Sequence, residues 1–413
     1  MLSQISAVSS LLLGIGALLV GAGLLGTLLP VRGHLEGFTE LQIGIVMGSY
    51  YVGFVAGTAL CPWMVRRVGH IRAFATLAAM AIVSILAHAV FISPIAWMFL
   101  RATFGASMIG LYITVESWLN ERADRYNRGR ILASYEMVAM GSMALGQFLI
   151  AVGQLESTLP FLIAAAMFAL GVVPVALTQL PEPEPGATQR FDMRQLFAVS
   201  PLAVVGTLSC GFGAGAFFSL GPVYAQQLEL APTGIASFMS AALVGSALLQ
   251  WPVGGWSDRT DRRIVICAAS ITAAVSAVAL LSFARIGLIA LLPCAFLYGG
   301  TVTVLYSLCV AHANDLLPQR QYLDAARGFN FLYAVGAMAA PVVTGGLMAR
   351  FGGPGLFATC GVVLLGLGLY AVRRILLGPV VPVETRDKFV PVATISPCEP
   401  QMHPREPVAT DPQ

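Results

Sequence analysis

The chain reads as a series of apolar stretches, each about 20 residues long, separated by short segments where charge and turn formers collect. An α-helix of about that length spans the hydrocarbon core of a bilayer. Twelve such stretches can be drawn, over roughly 8–30, 41–62, 72–92, 94–118, 130–153, 158–178, 199–225, 233–255, 264–284, 286–312, 324–349 and 353–374. None alternates in the short, period-two manner of a membrane barrel strand. Segment 179–198 interrupts the series. Pro181-Glu-Pro-Glu-Pro-Gly186 breaks any helix, and Phe191 to Phe197 is a short amphipathic piece. The pattern therefore predicts an all-α membrane protein: a six-helix bundle over 1–178, a linker over 179–198, a second six-helix bundle over 199–374, and a polar, proline-rich tail over 375–413 with the composition of a disordered segment.

Composition agrees and excludes the soluble alternatives. Hydrophobic residues make up 57% of the chain and charged ones only 10%, against about 25% charged in soluble domains. In lipid, backbone groups must be satisfied within the chain, which leaves helices or closed barrels. The placement of charge says more than the net value of +3. Nearly all of the 23 lysines and arginines fall in the loops after spans 2, 4, 6, 8 and 10 and in the tail. The opposite loops hold only Arg32, Arg285 and Arg350, and span 4 holds Arg101. By the positive-inside rule both termini are expected in the cytoplasm. The first span has no basic residue before it and reads as a membrane helix rather than a cleaved leader.

The two halves echo each other at an offset of 192 residues. Val52-Gly53 matches Val244-Gly245, Arg67 matches Arg259, and Gly69 falls under Asp261. Parallel repetition of this kind is found in transporters whose bundles rock about a central site. The segment Gly254-Gly-Trp-Ser-Asp258-Arg259-Thr-Asp261-Arg262-Arg263 stands out between spans 8 and 9. It resembles the loop motif G-x-x-x-D-R-x-G-R-R of the major facilitator superfamily, with Asp261 in place of the second glycine. Arg101 and Gly105 match that superfamily's span-4 motif, R-x-x-x-G. Val115-Glu116-Ser117, Asn127-Arg-Gly-Arg130 and Gln250-Trp-Pro-Val-Gly254 are similar to a bacterial branch of it, the YcaD-like proteins. The resemblance, over about 8–374, implies two pseudo-symmetric bundles, alternating access, a bacterial inner membrane and a monomer.

The departures matter as well. In the first half the loop reads Pro62-Trp-Met-Val-Arg66-Arg67-Val-Gly69, with arginine where the family has aspartate. The span-5 antiporter signature lacks its proline, and a similar cluster, Gly336 to Pro341 with Gly345-Gly346, lies in span 11. Drug–proton antiport is thus not supported by its usual mark. The resemblance implies that Asp258 meets the start of span 5 near Arg130 and holds one mouth shut, helped by the helix N-terminus. The pseudo-symmetric contact would be a charge-swapped latch of Arg66 with Asp324. Asp258, Arg259, Arg262, Arg263, Arg66, Arg67, Gly69, Arg130 and Asp324 form this gating set.

Among candidate site residues, Arg101 sits about two turns into span 4, where an arginine is costly unless paired or facing water. It can bind an anion, steady a proton-carrying carboxylate, or snorkel outward. Glu116 and Glu136 are candidate proton carriers, with a fixed ion-pair network including Arg130 as the alternative. If spans 1, 4, 7 and 10 line the cavity, as the resemblance implies, they offer Tyr112, Phe217, Phe218, Tyr298 and Thr301, with Gln250, Asn330 and Tyr333 from neighbouring spans. Tyr224, Tyr306, Thr303, Tyr50, Tyr51 and Gln147 extend the set. Such a lining suits a planar or amphipathic organic solute, neutral or singly negative. The seven cysteines and five histidines are too scattered for a metal site, and no cofactor, nucleic-acid or enzyme motif stands out. The function expected is secondary transport of a small organic solute, with export against inward proton flow first and uptake second. A membrane receptor or assembly partner that kept the fold is the rival of another class.

Overall fold

The computed structural model describes residues 2–122, 128–177, 193–318, 321–377 and 389, without the side chains of 2–8, 120–122, 128–130, 132–133 and 323–324. Among the described residues, twelve long helices carry the fold. They are α1 (Leu2–Leu35), α2 (Glu40–Val68), α3 (His70–Val90), α4 (Pro94–Arg122), α5 (Arg128–Phe148), α6 (Leu159–Ala176), α8 (Pro201–Gln227), α9 (Pro232–Arg259), α10 (Arg262–Ser282), α11 (Leu288–Asn314), α12 (Tyr322–Phe351) and α13 (Pro354–Leu377). Between the halves lies one short helix, α7 (Met193–Val199), which buries Leu196. Eleven of the long helices are apolar and long enough to cross a membrane among the described residues; α5 is the exception. The all-α expectation holds, and every predicted span has its helix. Pro181 to Gly186 lies outside the described residues.

Local chemistry sets the boundaries. Thr39 and Gln42 cap the start of α2 reciprocally: the Thr39 N–H donates to Gln42 Oε1 (2.9 Å) and the Gln42 N–H to Thr39 Oγ1 (3.3 Å). Gly69, at φ +82°, makes the turn from α2 to α3 that a side chain would resist. Asp261 takes the same position before α10 and accepts from the Arg263 N–H at 3.0 Å.

Glycine sets how closely helices cross, and both halves use it in the same places. A Cβ on Gly53 would collide with the Ala102 carbonyl, and one on Gly105 with that of Tyr50, so α2 and α4 run backbone to backbone. In the second half Gly245 meets the Phe296 carbonyl and Gly299 the Ala242 carbonyl, between α9 and α11. The sequence echo of Gly53 and Gly245 is thus an echo of packing. Small residues serve this purpose in lipid, where close approach supplies much of the attraction between helices.

The halves meet at the end of the bundle poor in arginine. There α2 lies on α12, with Gly44 against Pro341, Gly48 against Met338 and Gly345 against Glu40. Gln227 Nε2 donates to Glu40 Oε1 at 3.0 Å, and Ser240 Oγ to the Ala144 carbonyl at 3.0 Å. Large apolar side chains such as Val83, Phe99, Ile289 and Val362 stay exposed on the outer faces. Exposure on that scale belongs to a protein solvated by lipid.

Candidate functional site

A cavity of about 140 Å³ lies between the halves, partway along the bundle. The first half supplies α1 through Thr27, α2 through Tyr50 and Tyr51, α4 through Arg101, Phe104 and Tyr112, and α5 through Gln147. The second half supplies Phe218 and Ser219 of α8, Met239 and Ser246 of α9, Thr303 of α11 and Tyr333 of α12. Two elements of local packing place its most distinctive side chain. Gly105 lets the α2 backbone approach α4 at Tyr50, and this brings the Tyr50 ring beside Arg101, one turn earlier on α4. The guanidinium carbon lies 4.9 Å from the Tyr50 ring centre and 5.3 Å from that of Phe104.

Arg101 is 7% exposed. Its Nε and Nη1 are buried and have no hydrogen-bond partner among the described residues. Among the described residues no aspartate, glutamate, lysine or histidine shares the cavity wall with Arg101. Two pairs of polar side chains on the wall bond to each other. Thr27 Oγ1 donates to Gln147 Oε1, and the hydroxyls of Ser246 and Thr303 are 2.8 Å apart. The remaining surface is aromatic or thioether: Met47, Met108, Met140, Met143 and Met239 all face the cavity.

Of the residues expected to line the site, Arg101, Tyr112, Phe218 and Tyr333 do so, as do Tyr50, Tyr51, Gln147 and Thr303. Phe217 and Tyr298 pack inside the second bundle instead, with ring centres 5.2 Å apart, and the Tyr298 hydroxyl donates to the Gly213 carbonyl at 3.0 Å. Thr301 Oγ1 turns back to the Leu297 carbonyl (2.6 Å). Tyr306 donates its hydroxyl to Asn330 and Tyr224 donates to the Leu280 carbonyl (2.8 Å), both away from the cavity, and Gln250 is buried away from it as well. The five methionines and Phe104 were not anticipated, because on their own helices they read as ordinary core residues.

Glu116 is fully buried beneath the cavity wall and accepts from the Tyr135 hydroxyl at 3.2 Å. Glu136 is half-buried on the neighbouring helix turn, and neither carboxylate lines the cavity. The network proposed with Arg130 involves a side chain outside the described residues.

The loop motif is built into the second bundle. Arg262, 1% exposed, donates through Nε to Asp315 Oδ2 (2.7 Å) and through Nη1 to Ser257 Oγ (2.9 Å). Arg263 pairs with Asp261 at 2.7 Å and donates to the Arg374 carbonyl at 3.0 Å. These contacts tie α10 to α11 and α13. Asp258 lies 3.5 Å from Arg262 and accepts from the Phe389 N–H at 2.7 Å, while the Phe389 ring covers Gly254. The expected partners of Asp258 and Arg66, namely Asn127 and the side chains of Arg130 and Asp324, lie outside the described residues. Arg66, Arg67 and Arg259 are exposed, and Arg67 lies 5.4 Å over the Trp63 ring. Among the described residues no cluster suited to a metal ion occurs.

The sequence profile of the Major Facilitator Superfamily matches residues 11–238 and 202–397. Over 348 residues the chain is 26% identical to a protein of Salmonella arizonae named "Uncharacterized MFS-type transporter YcaD", covering 83% of this chain and 89% of that one. Among solved structures, the nucleoside transporter NupG superposes with a TM-score of 0.70 at 15% identity, over 90% of this chain and 97% of that one. A bacterial homolog of the human lysosomal transporter Spinster, inward-facing and occupied, gives 0.67 at 14% identity, over 92% and 97%.

Proposed function

The chain belongs to the major facilitator superfamily, a family of secondary transporters and not an enzyme class; from that premise we propose that it moves a small, amphipathic or aromatic organic solute by alternating access through the chamber between its halves. One observation carries this reading. The chamber wall is drawn from both bundles, and among the described residues the hydrogen bonds between them, Gln227 with Glu40 and Ser240 with Ala144, lie at the arginine-poor end, so a rocking motion would expose the same wall to either side. Aromatic rings and methionines give the wall an adaptable apolar surface, which suits a solute with a hydrophobic body.

We place the arginine-rich end in the cytoplasm of a bacterium, with the protein in the inner membrane and both termini inside. Export in exchange for protons is the first choice of direction, as the commoner mode of the family. Tyr112 lines the chamber, and Glu116 with Tyr135 lies in the protein layer behind it. Buried carboxylates so placed are the groups that would carry a coupled proton. Uptake by symport or facilitation is the second reading. The chamber is complete within one chain, in keeping with a monomer.

The test is flux in proteoliposomes loaded with single-ring solutes of three kinds, neutral, anionic and cationic, under a pH gradient of either sign. At least one kind should cross faster than through protein-free liposomes, and a gradient should accelerate it in one direction. Equal rates with and without protein for all three would contradict the proposal.

A further inference from the structure

We infer that the chamber is a site for a single-ring organic monocarboxylate, its anionic group held by Arg101 and its ring laid on the aromatic and methionine wall; this deepens the transporter reading and rests on it. The starting point is the unsatisfied guanidinium. A buried charge without a partner costs several kcal/mol, and Arg101 has two buried N–H groups without an acceptor among the described residues. Tyr50 and Phe104 hold the guanidinium between them through their ring faces, which attract the cation but accept no conventional hydrogen bond. A carboxylate supplies two acceptors in the planar geometry that matches the guanidinium fork.

The other solute classes fit less well. A cation meets Arg101 and finds no carboxylate on the wall among the described residues. A dianion finds one positive charge and leaves the other uncompensated in an apolar space. A sugar meets a wall where Thr27 with Gln147 and Ser246 with Thr303 bond to each other and most of the other described side chains are aromatic rings or methionines. The space available accommodates a ring. The cavity is about 140 Å³, and an engineered cavity of about 150 Å³ holds benzene. Five methionine side chains around it give a wall that tolerates variation in the ring while the charge requirement stays fixed.

The experiment is calorimetric titration of the full chain in lipid nanodiscs near neutral pH, with benzoate, benzamide, benzylamine and phthalate. Benzoate should bind, and benzamide, of the same shape without the charge, should bind about tenfold more weakly or worse. Phthalate and benzylamine should fall below benzoate. Arg101→Gln should lower benzoate to the level of benzamide, with an unchanged far-UV circular dichroism spectrum as the check that the fold is intact. Arg101→Lys, which keeps the charge and loses the fork, should fall between. The inference is overturned if benzoate fails to bind, if benzoate and benzamide are indistinguishable in the wild-type protein, or if Arg101→Gln retains full benzoate affinity. The first two readings need no variant, so a misfolded Arg101→Gln leaves the test standing. Flux of a neutral or cationic ring without benzoate binding would sink the anion site and leave the transporter reading in place.

Discussion

Replacing Arg262 by methionine should destabilise the second bundle severely, and replacing its partner as well should restore it. Arg262 and Asp315 are 1% and 2% exposed, with Nε and Oδ2 2.7 Å apart. Two charges about 4 Å apart in a medium of effective dielectric 20 attract by about 4 kcal/mol. Desolvation of both groups offsets much of that, so the intact pair contributes little net stability. Removing one partner is different, because Asp315 then remains buried against a methionine. Loss of one member of a buried pair costs about 3–5 kcal/mol. Arg262 also bonds Ser257 Oγ, so the single variant should lie toward the upper part of that range. The assay is unfolding in mixed micelles titrated with SDS, followed by far-UV circular dichroism. Arg262→Met should lose about 3–5 kcal/mol, and Arg262→Met with Asp315→Leu should recover most of it. A single variant within about 1 kcal/mol of the wild type, or a double variant no better than the single, would refute the view that this arginine is a clamp within one bundle.

Gly105→Leu should force α4 away from the Tyr50 backbone, at about 1–3 kcal/mol of overpacking; the melting temperature should fall and solute binding should go with it, and unchanged binding would speak against the Tyr50–Arg101 arrangement. Gly254→Ala should displace the Phe389 ring from the helix end, seen as faster limited proteolysis beyond α13, whereas identical cleavage kinetics would mean the contact does not hold the tail. With Cys398 replaced by serine, a cysteine at Arg259 should react with a membrane-impermeant maleimide from the cytoplasmic face only, and one at Ile92 from the opposite face only. Labelling in the reverse sense would invert the proposed orientation.

The helices were legible because lipid leaves the backbone few choices: apolar length alone placed the ends of α1 to α6 and α8 to α13 within about six residues, with α1 and α2 reaching furthest beyond their expected bounds. Arg101 was legible for the same reason, since a charge inside an apolar span is costly enough to need a purpose. Side-chain direction was harder. Phe217 and Phe218 are adjacent on α8, yet Phe218 faces the chamber and Phe217 the bundle core. A one-residue step turns a helix by about 100°, and a helix apolar on every face gives no pattern to tell the two apart. The methionines were missed for that reason. The loop arginines were read as parts of a latch between the halves, but where they land depends on the α10–α11 contact, which brings Asp315 to Arg262 from 53 positions away in the chain.

The central claim is that two bundles pivot about the shared chamber, and spin-label distances test it most directly. One pair, at Arg67 and Arg259, spans the arginine-rich end; the other, at Leu35 and Phe351, spans the opposite end; all four residues are exposed. In nanodiscs, across changes of pH and added benzoate, each pair should show two distances whose populations shift in opposite senses, one end opening as the other closes. A single fixed distance at both ends under every condition, or both ends widening together, would contradict the account.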